Sequence, residues 1–411
     1  MVKVDSIIFD KLPIHDTCWS QAVGVDGRIY AAACCEHTGG VAAWLVRYDA
    51  ESGKVDYLFD VGDVVGEPSD NGRATQCKIH YSFLPTADGL LWGATHLSGP
   101  PFGHIMYPHW GGHRDRIHGF RGAMFFLMEL DSGKIIDRGL LYPHEGSRAL
   151  ALNERDGLIY VVGYPLDHFA VYDYKNRTFT DCGRLGSVNP QGIWVDPDGN
   201  GYTTDDFGRI IKYDAARRKL VELNVRVPHP KFQDGWHTVV YDMVAGPDPS
   251  VVFGVTWASF PHIFRYDMGD GPEGRMDDLG PAQPEHTGEE PSSFRDHVGG
   301  MVLADDDKIY CGVNHAPEKG ALAPVKGDFA TAMNVAETHM TRIDPASGKI
   351  EDLGVVQDGD CVVRYFARGN CAGNGDLVFC GPTRPVRLFR FRPEVRISDP
   401  KRNVDRLKKW G

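Results

Sequence analysis

Histidine is the side chain whose charge changes nearest neutral pH, and this chain sets two of them at the ends of one short segment, KIHYS and then, past a DG turn, GATH. A strand, a tight turn and a returning strand bring such ends side by side, so His80 and His96 are expected to be neighbours. One imidazole can then take a proton while the other orients a ligand, although a packed cross-strand pair under a loop is an equal alternative. The segment EGSRALALNERDGLIYVVGYP has the same layout and puts Arg148 near Tyr164. A guanidinium grips a carboxylate bidentately and a phenol beside a cation can exchange a proton, whereas the pair alone is equally a structural cation–π contact. A third group, His237, His297 and His315, with Gln191 and Asn314 in similar positions, offers neutral imidazoles to a divalent metal ion, zinc, manganese or calcium. No HExxH or other short-spaced motif anchors that third group, and no organic cofactor is implied.

These residues recur because the sentence that carries them recurs. A DG-type turn, a β-branched and aromatic run, a second run ending in an aromatic-Asp pair and a Gly-Lys-type hairpin repeat in seven copies, from DGRIYAAAC to NGDLVFCGP. Alternating runs such as LIYVVGY read as strands, and no single copy can bury both faces of its own sheet. Radial stacking covers both faces, so the expected fold is all-β, a seven-bladed β-propeller forming one domain over residues 1–411. The excess length sits in loops, above all an insertion at 97–122 rich in Gly, Pro, aromatic residues and histidine, while a basic tail runs from about 393. In such a fold the start of each innermost strand and the end of the next face the channel. That census adds His37, Lys78, Gln191, Trp257 and Arg384 as candidate substrate-binding residues, with Trp19, Trp257 and Trp110 as platforms for sugar rings.

Bulk properties narrow the partners. A formal charge of −12 lacks the basic field that nucleic acid or an anionic membrane requires, and no apolar run of spanning length occurs. The opening MVKVDSIIFDKLP has neither an apolar core nor a small-residue cleavage site, which suits an intracellular protein or one whose signal has been removed. Nine cysteines with a vicinal pair fit no zinc-finger spacing and suit a reducing compartment.

The repeat architecture, and KIHYS followed by a DG turn and GATH in particular, resembles the propeller-type polysaccharide lyases, which include ulvan, rhamnose-glucuronate and oligogalacturonate lyases. The resemblance implies β-elimination on an acidic oligo- or polysaccharide, giving a 4,5-unsaturated uronate. It makes His80, His96 and Tyr164 the proton-transfer residues and Arg148 the carboxylate clamp. The order departs from the ulvan pattern, since Arg148 precedes Tyr164 here. Histidines hold a metal in the oligogalacturonate enzymes, and a related group acting on rhamnosyl-glucuronate linkages keeps a hydrolase reading open through His37. The chemistry fits the residue types. The C5 proton of a uronate becomes labile once its carboxylate is neutralised, and the channel lacks the separated carboxylate pair of ordinary glycosidases. The remaining alternative is a non-catalytic propeller that binds carbohydrate or protein.

Overall fold

In this computed structural model the described residues are all except 37–39, 98–116, 187–189, 229–237, 258–260, 284–295, 316–334, 399–403, 406 and 408–411. Most of the 97–122 insertion, together with His37 and His237, therefore lies outside them.

The runs read as strands are strands. LIYVVGY forms Leu158–Tyr164, hydrogen-bonded on one side to Gly146–Asn153 and on the other to His168–Asp173. The turn between the first two carries Gly157 at φ +77°, where a side chain would be strained and would also strike Lys175. Among the described residues similar hairpins build five four-stranded sheets, the sheet just described ending in Thr178–Arg184.

The expectation of seven separate blades is corrected by the remaining strands, which merge into one nine-stranded sheet. The cause is the N-terminal strand Val2–Ile8. It pairs in parallel with Ile350–Asp358, Val2 opposite Val356, and antiparallel with Arg387–Phe391, Asp5 opposite Arg390. The last two repeats are thereby fused through a strand that belongs to neither. The protein is an all-β propeller of five four-stranded blades closed by a nine-stranded sheet, in a single domain.

The sheets pack face to face, so the core lies between them. Trp92 and Phe125 of one sheet meet Leu150, Ile159 and Tyr172 of the next in a single buried cluster. At the closing sheet Phe366 and Phe379 stack with centroids 4.4 Å apart. Around the axis the innermost strands touch in succession: Gln21–Val23 meets Phe83–Pro85, which meets Gly146–Asn153, and Arg368–Cys371 returns to Gln21–Val23.

Bulges interrupt Gly146–Asn153 and two other first strands of their sheets, Val239–Ala245 and Asp296–Leu303, and the first two of these bulges shape the site. Register shifts between Ser147 and Ala149, and again between Val240 and Asp242, leaving Arg148 and Tyr241 as the extra residues. A bulge bends the strand and re-aims the side chain at that point.

Closure through the N-terminal strand makes a quantitative expectation. Val4 is buried in the cluster that contains Val356 and Phe389. Val4→Asp puts an unpaired carboxylate there and is expected to cost about 3 kcal/mol or more, whereas Lys3→Glu on the exposed side of the same strand should stay within about 0.5 kcal/mol. Chemical denaturation of the two variants measures both.

Candidate functional site

The hairpin that carries the two histidines extends beyond its strands. Lys78 and His96 form an isolated bridge in which the His96 N–H donates to the Lys78 carbonyl at 2.7 Å. Directly opposed residues in an antiparallel pair share a face, as do residues two apart, so Lys78, His80 and His96 project together. The imidazole centroids of His80 and His96 are 5.6 Å apart, and His96 lies 4.6 Å from the Tyr164 ring. Arg148 completes the group, with its guanidinium 5.4 Å from the Tyr164 centroid. All four residues assigned to proton transfer and carboxylate binding thus stand together.

The bulge at Arg148 does two things. Its side chain, freed from the ladder, lies over Tyr164, and its carbonyl accepts a hydrogen bond from His80 Nδ1 at 3.1 Å. A carbonyl only accepts, so Nδ1 carries the proton and the lone pair of His80 is on Nε2. His96 is fixed in the same tautomer by Nδ1–H donation to the Leu97 carbonyl at 2.5 Å.

The electrostatics follow from burial. His80 is 2% exposed, and burial together with the Arg148, Lys78 and His96 charges holds its pKa well below the usual imidazole value. It is a neutral base at neutral pH. Burial raises the Tyr164 phenol above its ordinary value, with Arg148 opposing that rise, so the phenol stays protonated. Lys78 is paired at 2.8 Å with Glu36, whose other oxygen accepts from Trp19 Nε1 at 2.6 Å. Trp19 is buried, stacked on His80 and covered by the Lys78 ammonium 4.6 Å from its ring, so it forms a wall of the site rather than a free platform. The Nε of Arg148 has no hydrogen-bond partner among the described residues.

The other candidates are more dispersed. Trp257 ends its strand half-buried against Tyr241 at 5.7 Å and His297 at 6.3 Å. Gln191 is buried, its Oε1 without a partner among the described residues. Arg384 is exposed and donates to the Pro13 carbonyl at 3.4 Å.

The metal trio does not assemble. His237 lies outside the described residues, and His297 sits opposite Asn314 in the ladder, which puts His315 on the other face of the sheet. His297 turns to Tyr241 and Tyr365, while His315 packs edge-on against His339, itself bonded to Asp352 at 2.8 Å. Among the described residues no three His, Cys, Asp or Glu groups are arranged to hold a metal ion. Of the three histidines, the two among the described residues do not come together for the metal that the oligogalacturonate resemblance implies.

Several contributors were missed by reading the sequence. Tyr241 and Tyr365 share a hydrogen bond at 3.2 Å beneath the histidines, and the Tyr81 hydroxyl donates to the Ala367 carbonyl at 3.1 Å. These three buried phenols floor the site, and Arg148 is close enough to Tyr241 and Tyr365 to lower their pKa values against the rise caused by burial. Tyr241 is aimed inward by a bulge, which strict alternation does not reveal. Glu145, buried under Gly163 beside Tyr164, is pushed up to about 7 chiefly by burial, with Asp181 and Asp167 adding to it and His168 opposing.

No protein-family model and no curated protein matches this chain. Among solved structures it is similar to the extracellular domain of the hybrid two-component system BT4673 from B. thetaiotaomicron, at TM-score 0.58 and 11% identity, covering 96% of this chain and 40% of that one. It is also similar to the β-propeller domain of Myceliophteria thermophila Cps50 (Swd1), at TM-score 0.55 and 10% identity over 92% and 97% of the two chains. The WD40 repeats of RRP9 match at TM-score 0.53 and 8% identity, over 92% and 94%. The chain spans under half of the length of the first of these, and identities this low show the propeller fold alone.

Because the folded state keeps His80 neutral while the unfolded chain takes up its proton near pH 6.5, His80 costs stability progressively as pH falls below 6.5. In an NMR titration its imidazole should remain neutral as pH is lowered through 6.5, and Lys78→Met should move the midpoint upward. A midpoint at or above 6.5 in the parent protein contradicts this electrostatic picture.

Proposed function

We propose that this propeller binds a uronate-bearing glycan at the mouth of its channel and that the bound sugar is cleaved there by β-elimination. The observation that carries the reading is the arrangement around Arg148: a half-buried guanidinium with its Nε unmatched among the described residues, beside a neutral imidazole and a protonated phenol. The cation suits the uronate carboxylate, and neutralising that carboxylate makes the C5 proton removable. His80 Nε2 takes that proton. The electron pair forms the C4=C5 double bond as the C4–O bond breaks, and Tyr164 supplies a proton to the departing oxygen. His96, between the two, orients the sugar, and Trp257 is the aromatic surface left half-open to a neighbouring ring. General acid–base groups of this kind each contribute on the order of 10²- to 10⁴-fold.

The second reading keeps the binding and drops the chemistry: a non-catalytic propeller that recognises an acidic glycan. It is favoured by the Lys78–Glu36–Trp19 lattice, which ties up polar groups of the site in contacts of their own.

Incubation with a panel of uronate glycans, including ulvan, rhamnose-capped arabinogalactan, glucuronan and pectin oligomers, separates the two. Growth of the ultraviolet absorbance of a 4,5-unsaturated uronate, lost by at least about 100-fold in His80→Ala and Tyr164→Phe with binding retained, is the expected result. Binding without that product leaves the non-catalytic reading, release of a reducing end without absorbance moves the assignment to hydrolysis, and failure to bind any member defeats both proposed readings.

A further inference from the structure

Four buried cysteines gather where the first repeat meets the closing sheet on one side and the second repeat on the other. Cys18, Cys34 and Cys380 share one core cluster, each at 0% exposure, and Cys77 stands beside Cys34. They divide into two pairs. The Cys18 N–H donates to the Gly381 carbonyl at 3.3 Å, which sets Cys18 against the end of the strand Leu377–Gly381, and the Cys18 and Cys380 thiols are hydrogen-bonded to each other. Cys34 turns the other way, its sulfur 3.5 Å from the Ala32 carbonyl and 3.9 Å from the Ile79 carbonyl of the second repeat.

Position gives the first pair its meaning. Cys18 lies near the beginning of the sequence and Cys380 near its end, beside the seam that Val2–Ile8 closes by hydrogen bonds to Ile350–Asp358 and Arg387–Phe391. A bond between the two sulfurs turns that circle into a covalent one. Cross-links stabilise chiefly by removing freedom from the unfolded chain, and the effect grows with the length of the loop closed. A loop from residue 18 to residue 380 takes in most of this chain.

We propose that Cys18 and Cys380 are a disulfide site, a covalent staple across the seam of the ring that is made in an oxidising medium and released in a reducing one. The oxidant is a small-molecule disulfide. One cysteine attacks it as the thiolate, forming a mixed disulfide and releasing one thiol of the reagent. The other then attacks the protein sulfur of that mixed disulfide and releases the second. The two cysteines give up two electrons and two protons, and the S–S bond of the reagent is reduced to two thiols. Burial, then the hydrogen bond and charge of Cys380, push the Cys18 thiol well above its ordinary pKa, so it is inert in the closed ring and exchange runs while the seam is open. The staple is independent of any chemistry at the histidines.

The folded full chain is held with oxidised glutathione at mildly alkaline pH, in urea kept below the unfolding transition so that the seam opens transiently. It is then returned to native buffer, digested without reduction and mapped by mass spectrometry. Cys361, which is exposed, reports that the reagent has acted. The peptides holding Cys18 and Cys380 are expected to be joined in most chains, with the apparent melting temperature raised by roughly 5 °C and both changes reversed by dithiothreitol. Cys34→Ala should keep the link and the rise. Cys380→Ala, or Cys380→Val where the smaller side chain does not fold, should lose both. Cys18 and Cys380 remaining as thiols once Cys361 is fully modified overturns the proposal. A link from Cys18 to Cys34 overturns it too, as does a Cys18–Cys380 link that leaves the melting temperature unchanged.

Discussion

Closure of the ring is the constraint on which the rest of this molecule depends. The site is made by residues that no one sheet supplies: Trp19 from the first repeat, His80 and His96 from the second, Arg148 and Tyr164 from the third, Tyr241 and Trp257 from the fifth, and Tyr365 from the segment that leads into Arg368–Cys371 of the closing sheet. Their distances have meaning only if the first and last repeats are held together. That is the work of Val2–Ile8, which hydrogen-bonds to strands on both sides and buries Val2 and Val4 against Val356 and Phe389. A strand drawn from the opposite end of the sequence closes the circle with long-range contacts, each secured by burial of order 1.5 to 3 kcal/mol per aliphatic side chain.

Within the closed ring, the arrangement of the site depends on departures from regular strand geometry. A strand without bulges would put Arg148 back into the alternation and withdraw its carbonyl from His80. The bulge acts twice: one residue fixes the tautomer of the imidazole through its main chain and presents a cation through its side chain. Two further charges set the protonation states. Lys78 helps to hold His80 neutral, and Glu36 balances Lys78, so that the buried ammonium is not left unpaired beside Trp19.

How much of this the sequence discloses follows from period and pairing. The strand runs, the DG turns and the hairpin logic place His80 near His96 and Arg148 near Tyr164, because those relations are local and survive any arrangement of the sheets. Relations across the chain are a different matter. Seven similar copies suggest seven separate blades, but the merging of the last two depends on which edges Val2–Ile8 finds, and nothing in VKVDSII marks it for a parallel partner. His297 and His315 part on parity: they look equivalent in a census by repeat, yet the register that sets His297 opposite Asn314 sends His315 to the other face. Tyr241 escapes for the converse reason, since a bulge changes parity without a motif in the sequence.

Under the proposed function, Arg148 is the group that recognises the carboxylate. Calorimetric titration with a glucuronate-terminated oligosaccharide and with its carboxyl-reduced glucose counterpart tests it most directly. A hydrogen bond to a charged group is worth roughly 1.5 to 3 kcal/mol, so reducing the carboxyl is expected to weaken binding by about 10- to 100-fold and Arg148→Ala to remove the difference between the two sugars. Equal affinity of the unaltered protein for both sugars would contradict it.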